Sequence, residues 1–211
     1  MEAGDKIHVT HLGIGSGEAD IISLSQNLIK IRTEKLTPSQ RGWIDLFIGL
    51  SRPPTLKKIL EHGTTLGVRS FHFFKADLSE KSYLQSTSLE ENNYHKLLLL
   101  GLSQSRNYFE RPQVKVDKYC AVKEYSDKKQ KFILCLDADK SFDQYLIDFS
   151  KPITLAIGPE RGWSKQEKSK LREEGFLPIK ISSAALRVEM ATFCAISQLE
   201  MLRGFPEISK K

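Results

Sequence analysis

The sequence predicts an α/β protein: a parallel-sheet domain preceded by a short all-β segment. Three observations carry this. From Trp43 onward, apolar strand-like runs alternate with helical runs; before it, short β-branched runs are separated by glycines; and a stretch rich in Thr, Pro, Ser and Gln, Thr33 to Gly42, divides the two. The chain has 211 residues, enough for one generous domain or one domain with a small appendage.

Composition narrows the class. Hydrophobic residues make up 40% and charged residues 27%. There is no long apolar run and no charged-then-apolar leader, so the expectation is a soluble cytoplasmic protein with neither a membrane span nor a secretion signal. Three cysteines (Cys120, Cys135, Cys194) without a CxxC pair suggest neither a disulfide framework nor a zinc site, and no metal is expected. A formal net charge of +6 favours polyanionic partners, because neutralising phosphates releases counterions, although a merely basic soluble domain fits the charge equally well.

Taken in order, Lys6 to Thr10, Ala19 to Leu24 and Leu28 to Arg32 read as strands. The run Leu12-Gly13-Ile14-Gly15-Ser16-Gly17 looks like a dinucleotide loop, but a strand pattern follows it, with no helix for a pyrophosphate; a hairpin or loop is the better reading. His8 and His11 fall on opposite faces of a strand, which argues against a shared metal. Trp43 to Leu50 is an apolar strand broken by Ser51-Arg52-Pro53-Pro54. A helix from Thr55 to about Leu66 closes at Gly67, and Arg69 to Phe74 is the next strand. Glu90 to Ser105 is a helix, Phe132 to Leu136 and Ile153 to Ile157 are buried strands, and Ile179 to Ile181 is a short one.

Two loops near the carboxyl end stand out. The strand Ile153 to Ile157 ends in Gly158-Pro159-Glu160-Arg161-Gly162-Trp163, and Ser164 with Glu167 supplies a capping box for a helix that Gly175 ends. Open α/β sheets bind ligands at such strand-to-helix loops, though an ordinary turn uses the same residues. Farther on, Ser182-Ser183-Ala184-Ala185 leads into a helix from Arg187 that buries Val188, Ala191, Thr192, Ala195, Ile196, Leu199 and Leu202. Glu189 suits a helix start. Arg187 does not, because a cation there opposes the helix dipole by a few tenths to about 1 kcal/mol; it makes sense if it faces an anion, and a solvated helix start is the plainer reading.

The two stretches together, GPERGWS with Glu167 and Leu186-Arg187-Val188-Glu189-Met190-Ala191, resemble the trefoil-knotted RNA methyltransferase superfamily. Within it they resemble the family that methylates N3 of a uridine in 16S ribosomal RNA, whose loops read GPEGG(L/F)S and LRxETA. Leu50-Ser51-Arg52, His62 to Val68, and Ser103-Gln104-Ser105-Arg106 with Pro112 look like its upstream elements, and the first strands look like the end of its PUA-like barrel. Arg161, His62, Thr65 and Ser103 depart from the pattern, and the barrel's opening strands are absent.

The resemblance implies a shortened PUA-like β-barrel segment over residues 1–36, serving RNA docking, and a knotted methyltransferase domain over 37–211. It implies S-adenosyl-L-methionine as cofactor, held by Leu136, Asp137 and Ala138; by Ile157, Gly158, Pro159, Glu160 and Gly162; and by Ile181, Ser182, Ala185, Leu186 and Arg187. Arg187 would stabilise a developing uridinate, oriented by Glu189. Arg52, Gln104, Arg106 and Arg111 are the expected RNA contacts, ribosomal RNA or the small ribosomal subunit the partner, and a homodimer the assembly. A related ribose 2'-O-methyltransferase, a catalytically silent RNA-binding module and a nicotinamide-dependent oxidoreductase remain as alternatives, the last without a GxGxxG that a helix follows.

Overall fold

Alternating side chains in the first forty residues build an antiparallel sheet of β1 (Lys6–His11), β2 (Gly15–Leu24), β3 (Ile29–Thr33) and β4 (Thr37–Pro38), with β2 pairing all three others. The structure is a computed structural model that describes residues 1–125 and 130–204. The glycine run forms the β1–β2 hairpin: Gly13 turns at φ +75°, and a Cβ on Gly15 would lie 2.1 Å from the Thr37 carbonyl oxygen. These glycines permit a turn and a close β4 approach, as the hairpin reading expects. Thr37 and Pro38 pair with Ser16 and Gly15 of β2, which carries the first sheet to residue 38.

Residues 39–43 then cross to the second sheet. Gln40 donates its backbone N–H to Asn107 O at 2.8 Å, Gly13 does so to Phe109 O at 2.8 Å, and the Ser39 hydroxyl accepts from the Phe109 N–H at 2.9 Å. The second sheet comprises β5 (Ile44–Gly49), β6 (Val68–Phe74), β7 (Gln113–Asp117), β8 (Lys131–Leu134), β9 (Ile153–Ile157) and β10 (Leu177–Ile179). All its pairings are parallel, in the order β10-β8-β9-β5-β6-β7. Every residue of β5 and β9 is buried, as expected of central strands covered on both faces.

Four helices supply those covers: α1 (Pro53–Thr65), α2 (Glu91–Gln104), α3 (Lys165–Glu173) and α4 (Val188–Arg203). One core gathers Leu46, Ile48, Phe71, Phe73 and Leu155 under Leu56, Ile59 and Leu60 of α1, Leu98 of α2, and Ile196 and Leu199 of α4. The other gathers Phe47, Phe74, Ile133 and Ala156 against Trp163 and Leu171, on the face that carries α3. Alternation along each strand feeds both layers.

Two strand assignments change. The strand expected at Ile179 to Ile181 lies at Leu177–Ile179, paired with β8, and thus contains Pro178. At the sheet edge a missing N–H faces no partner strand, so the proline is tolerated. The edge strand β7, whose Val114 and Val116 alternate with Gln113 and Lys115, had no counterpart in the sequence reading.

Candidate active site

The carboxyl ends of β8, β9 and β10 each feed a loop, and the three loops enclose a cavity of about 410 Å³. This is the end of a parallel sheet at which open α/β folds bind ligands, and the volume lies within the range of small-molecule sites. A cavity of about 460 Å³ opens elsewhere, so size alone does not choose between them. Position and apolar lining do.

The turn after β9 is set by its sequence. Gly162 donates its N–H to the Pro159 carbonyl at 2.8 Å and has φ +72°. A Cβ on Gly158 would sit 3.2 Å from both the Gly162 carbonyl carbon and the Trp163 ring. Trp163 donates Nε1–H to the Leu134 carbonyl at 3.1 Å, tying this loop to β8. Glu160 reaches the other way: its Oε1 accepts the Arg52 N–H at 2.9 Å and lies 3.5 Å from Arg52 Nε, fastening the loop to the start of α1. A Cβ on Gly49 would lie 2.6 Å from Pro159 Cδ, so β5 must end in a residue without a side chain for the loop to pack there.

Glu167, 4% exposed, does more than close a capping box. One carboxylate oxygen accepts the Ser164 N–H at 3.0 Å and the other the Asp77 N–H at 2.9 Å, while the Ser164 hydroxyl accepts the Glu167 N–H at 3.1 Å and donates to Asp77 Oδ2 at 2.5 Å. The N-terminus of α3 is thereby bonded to the loop that follows β6. On the β8 side, Lys168 of α3 spans both Asp137 oxygens at 2.8 and 2.9 Å. The hydrogen bond from Lys168 holds the Asp137 carboxyl below the usual carboxylate range. Cys135 N–H donates to the Ile179 carbonyl at 2.9 Å and Gln198 Nε2 to the Ile181 carbonyl at 2.8 Å, which anchors the third loop at both sides.

Of the residues expected to hold a cofactor, Leu136, Asp137, Ile157, Gly158, Pro159, Glu160, Gly162, Ile181, Ser182, Ala185 and Leu186 all line this one cavity. Ala138 does not; it is 6% exposed in the core beside Cys135 and Phe176. Arg187 is the exposed N-cap of α4, just outside the lining between Leu186 and Val188. Arg161, within the expected loop, lines it too, as do Trp163, Lys168 and Cys135, which sequence reasoning did not assign. The capping-box spacing located α3 but gave no sign that its next residue, Lys168, reaches Asp137.

Glu189 does not meet Arg187. It is 7% exposed, its Oε2 accepts a long 3.4 Å hydrogen bond from the Thr55 hydroxyl, and Lys58 Nζ lies 3.7 Å from Oε1. The buried stripe of α4 runs through Val188, Glu189, Thr192, Ala195, Ile196 and Leu199, so helical spacing turns Glu189 toward α1 while the N-cap faces out. The expected RNA contacts also separate. Arg52 sits at the three-loop end beside Glu160, whereas Gln104 ends α2 and Arg111 lines the cavity at the opposite end of the strands, with Arg106 between them in sequence.

Comparison with known proteins fixes the lineage. Residues 37–200 match the RNA methyltransferase domain family. The chain belongs to this family. It is 30% identical over 152 residues to ribosomal RNA small subunit methyltransferase E 1 of Borreliella burgdorferi, covering 71% of this chain and 63% of that protein. It is 27% identical over 165 residues to ribosomal RNA small subunit methyltransferase E of Treponema pallidum, covering 72% and 59%. The chain thus spans about three fifths of the length of these two relatives. Among solved structures, ribosomal RNA small subunit methyltransferase E from Neisseria gonorrhoeae, bound to S-adenosyl methionine, superposes with a TM-score of 0.77 at 20% identity, over 95% of this chain and 84% of that one. Lpg2936 from Legionella pneumophila, in complex with SAM, gives 0.77 at 18% over 96% and 85%. At such identities these neighbours attest the fold. Among the described residues no helix is long and apolar enough to cross a membrane, and no group of three or more His, Cys, Asp or Glu side chains is placed to hold a metal ion.

Proposed function

We propose that this protein methylates N3 of a uridine in small-subunit ribosomal RNA in the cytoplasm, using S-adenosyl-L-methionine held between the three loops. The observation that carries the reading is the convergence of the loops after β8, β9 and β10 on one cavity, in a chain of the RNA methyltransferase domain family. The cavity fits such a cofactor: small and apolar residues (Gly158, Ile157, Ala184, Ala185, Leu186) suit an adenine, and the close backbone approach at Gly158 leaves main-chain groups to read its edge.

Bound there, S-adenosyl-L-methionine supplies an already activated methyl group, and no metal is called for. The protein's own work is alignment and electrostatics. Lys168 fixes Asp137 at the rim, and Glu160 fixes the β9 loop against Arg52. Uridine N3 must give up its proton to solvent water or hydroxide before it can accept a methyl group, and the Arg187 guanidinium, exposed at the cavity mouth, stabilises the negative charge that develops on the uracil. Glu189 serves by seating the first turn of α4 on α1, which sets where Arg187 stands.

The reading includes a chain threaded as a trefoil knot through these loops, and a division into a PUA-like β segment (1–36) for RNA docking and a methyltransferase domain (37–211). It also includes a homodimer, supported by the apolar face of α4, where Met190 and Met201 are 48% and 65% exposed beside half-buried Phe193 and Cys194. Calorimetry with S-adenosyl-L-methionine tests the cofactor assignment: saturable one-to-one binding without added metal is expected, and no heat at millimolar ligand would refute it.

A further inference from the structure

Charge in the three-loop cavity does not balance. The ionised side chains that line it are Asp137, Glu160, Arg161, Lys168 and Lys180. Both carboxylates are already matched: Asp137 accepts from Lys168 through both oxygens, and Glu160 accepts the Arg52 N–H and lies 3.5 Å from Arg52 Nε. Arg161 and Lys180 form no ion pair among the described residues. They are exposed and stand on different loops, after β9 and after β10. The walls therefore keep two uncompensated cations, and Arg187 adds a third at the mouth.

Neither of the two is there for the fold. Gly162 N–H closes a β-turn on the Pro159 carbonyl at 2.8 Å, with Glu160 and Arg161 as its central residues. The bonds that hold this turn in place come from Glu160, Gly162 and Trp163, and the Arg161 side chain makes none among the described residues. Lys180 is fixed by its backbone N–H, which donates to the Lys140 carbonyl at 2.8 Å and leaves the side chain on the cavity wall.

The sign of the excess selects the ligand. S-adenosyl-L-methionine carries a sulfonium, an ammonium and one carboxylate, so it is itself a net cation and leaves the positive excess standing. An RNA strand that delivers a base to this cavity brings a phosphate on each side of the target nucleotide. Two cations on separate loops match that pattern, and each phosphate they neutralise releases counterions.

We propose that Arg161 and Lys180 hold the two phosphates flanking the target uridine, so that the RNA strand crosses the cavity mouth between the β9 and β10 loops. The inference rests on the RNA reading above. It moves the phosphate contacts at this end of the sheet from Arg52, which is committed to Glu160, to the cofactor loops themselves.

Arg161→Gln and Lys180→Gln each remove one charge while keeping bulk, and Arg161→Lys and Lys180→Arg keep the charge. Binding of labelled protein to small ribosomal subunits from cells lacking it is measured between about 50 and 200 mM salt. Cofactor affinity and melting temperature are measured on the same preparations. Each glutamine variant is expected to flatten the slope of log affinity against log salt by about one unit, and the two together by about two. The charge-keeping variants should retain the slope, and cofactor affinity should not change in any of them. Lys151→Gln, which removes a cation paired with Asp148 at 2.6 Å and outside the cavity lining, is the control and should leave the slope as it is.

Should one glutamine variant fail to fold, the other decides alone. An unchanged slope in a folded glutamine variant overturns the proposal, as does an equal flattening in Lys151→Gln, which would reduce the effect to net charge. Loss of cofactor affinity overturns it too and hands that cation to the cofactor's carboxylate. Millimolar uridine monophosphate should not displace the subunits; displacement that the glutamine variants abolish would assign the cations to a free nucleotide. A parent that binds no subunits defeats the RNA reading and this inference with it. Flattened slopes without any methyl transfer would defeat the methyl-transfer reading alone and leave the phosphate contacts standing.

Discussion

Arg187 and Glu189 stand two positions apart at the start of α4 and serve different neighbours. Glu189 is spent on α1, so Arg187 is left at the cavity mouth without a carboxylate from its own turn. If it stabilises a developing uridinate, Arg187→Ala slows methyl transfer by about 100-fold or more with cofactor affinity within severalfold, the usual scale for removing one preorganised donor. Lysine rescues only part of the rate, since it keeps the charge without the planar fork. Single-turnover rates at saturating cofactor and RNA separate this from a structural role, in which cofactor affinity alone would fall. The cysteines have a different part. Burial pushes the Cys120 thiol up to about 12 and Cys135 up as well. A folded-state pKa above the unfolded value means that the stabilisation is complete below the unfolded thiol pKa of 8.5 to 9 and is lost as pH rises from there toward about 12. Thermal melts between pH 8 and 11 should therefore fall more steeply for the parent than for Cys120→Ala; parallel curves would contradict this.

Among the elements, the loops are held by a few specific bonds: Glu160 to Arg52, Glu167 to Asp77, Trp163 to Leu134 and Lys168 to Asp137. Substitutions that spoil the β9 loop should therefore act on the ligand. Gly158→Val crowds Gly162 and Trp163, Gly162→Val is strained at φ +72°, and each is expected to remove measurable cofactor binding in calorimetry. Full affinity in both folded variants would take the loop out of the site. Much of this loop was legible in the sequence, because a strand, a glycine turn and a capping box leave local signatures at fixed spacing. The partners of Glu160 and Glu167 were not, since Arg52 and Asp77 lie 108 and 90 residues away and nothing local encodes that distance. For the same reason Glu189 was assigned to its sequence neighbour Arg187. The edge strand β7 escaped notice because five residues next to Pro112 give a short alternation, and β10 was displaced because Pro178 argues against a strand until its edge position is known.

At the scale of the whole molecule, the three-loop cavity lies at the carboxyl ends of the parallel strands, and the small antiparallel sheet joins at their amino-terminal ends through Gly13, Ser39 and Gln40. The apolar face of α4 predicts a second copy of the chain there. Light scattering is expected to give twice the 24.0 kDa chain mass, falling to a monomer in Met190→Glu/Met201→Glu; a parent that is monomeric at micromolar concentration would contradict the dimer. The central claim is tested most directly by incubating the purified protein with methyl-labelled S-adenosyl-L-methionine and small ribosomal subunits from cells lacking the protein, then digesting the RNA and identifying the labelled nucleoside by mass spectrometry. Label in 3-methyluridine is the expected result, and label in a 2'-O-methyl nucleoside, or none in the RNA, would contradict it.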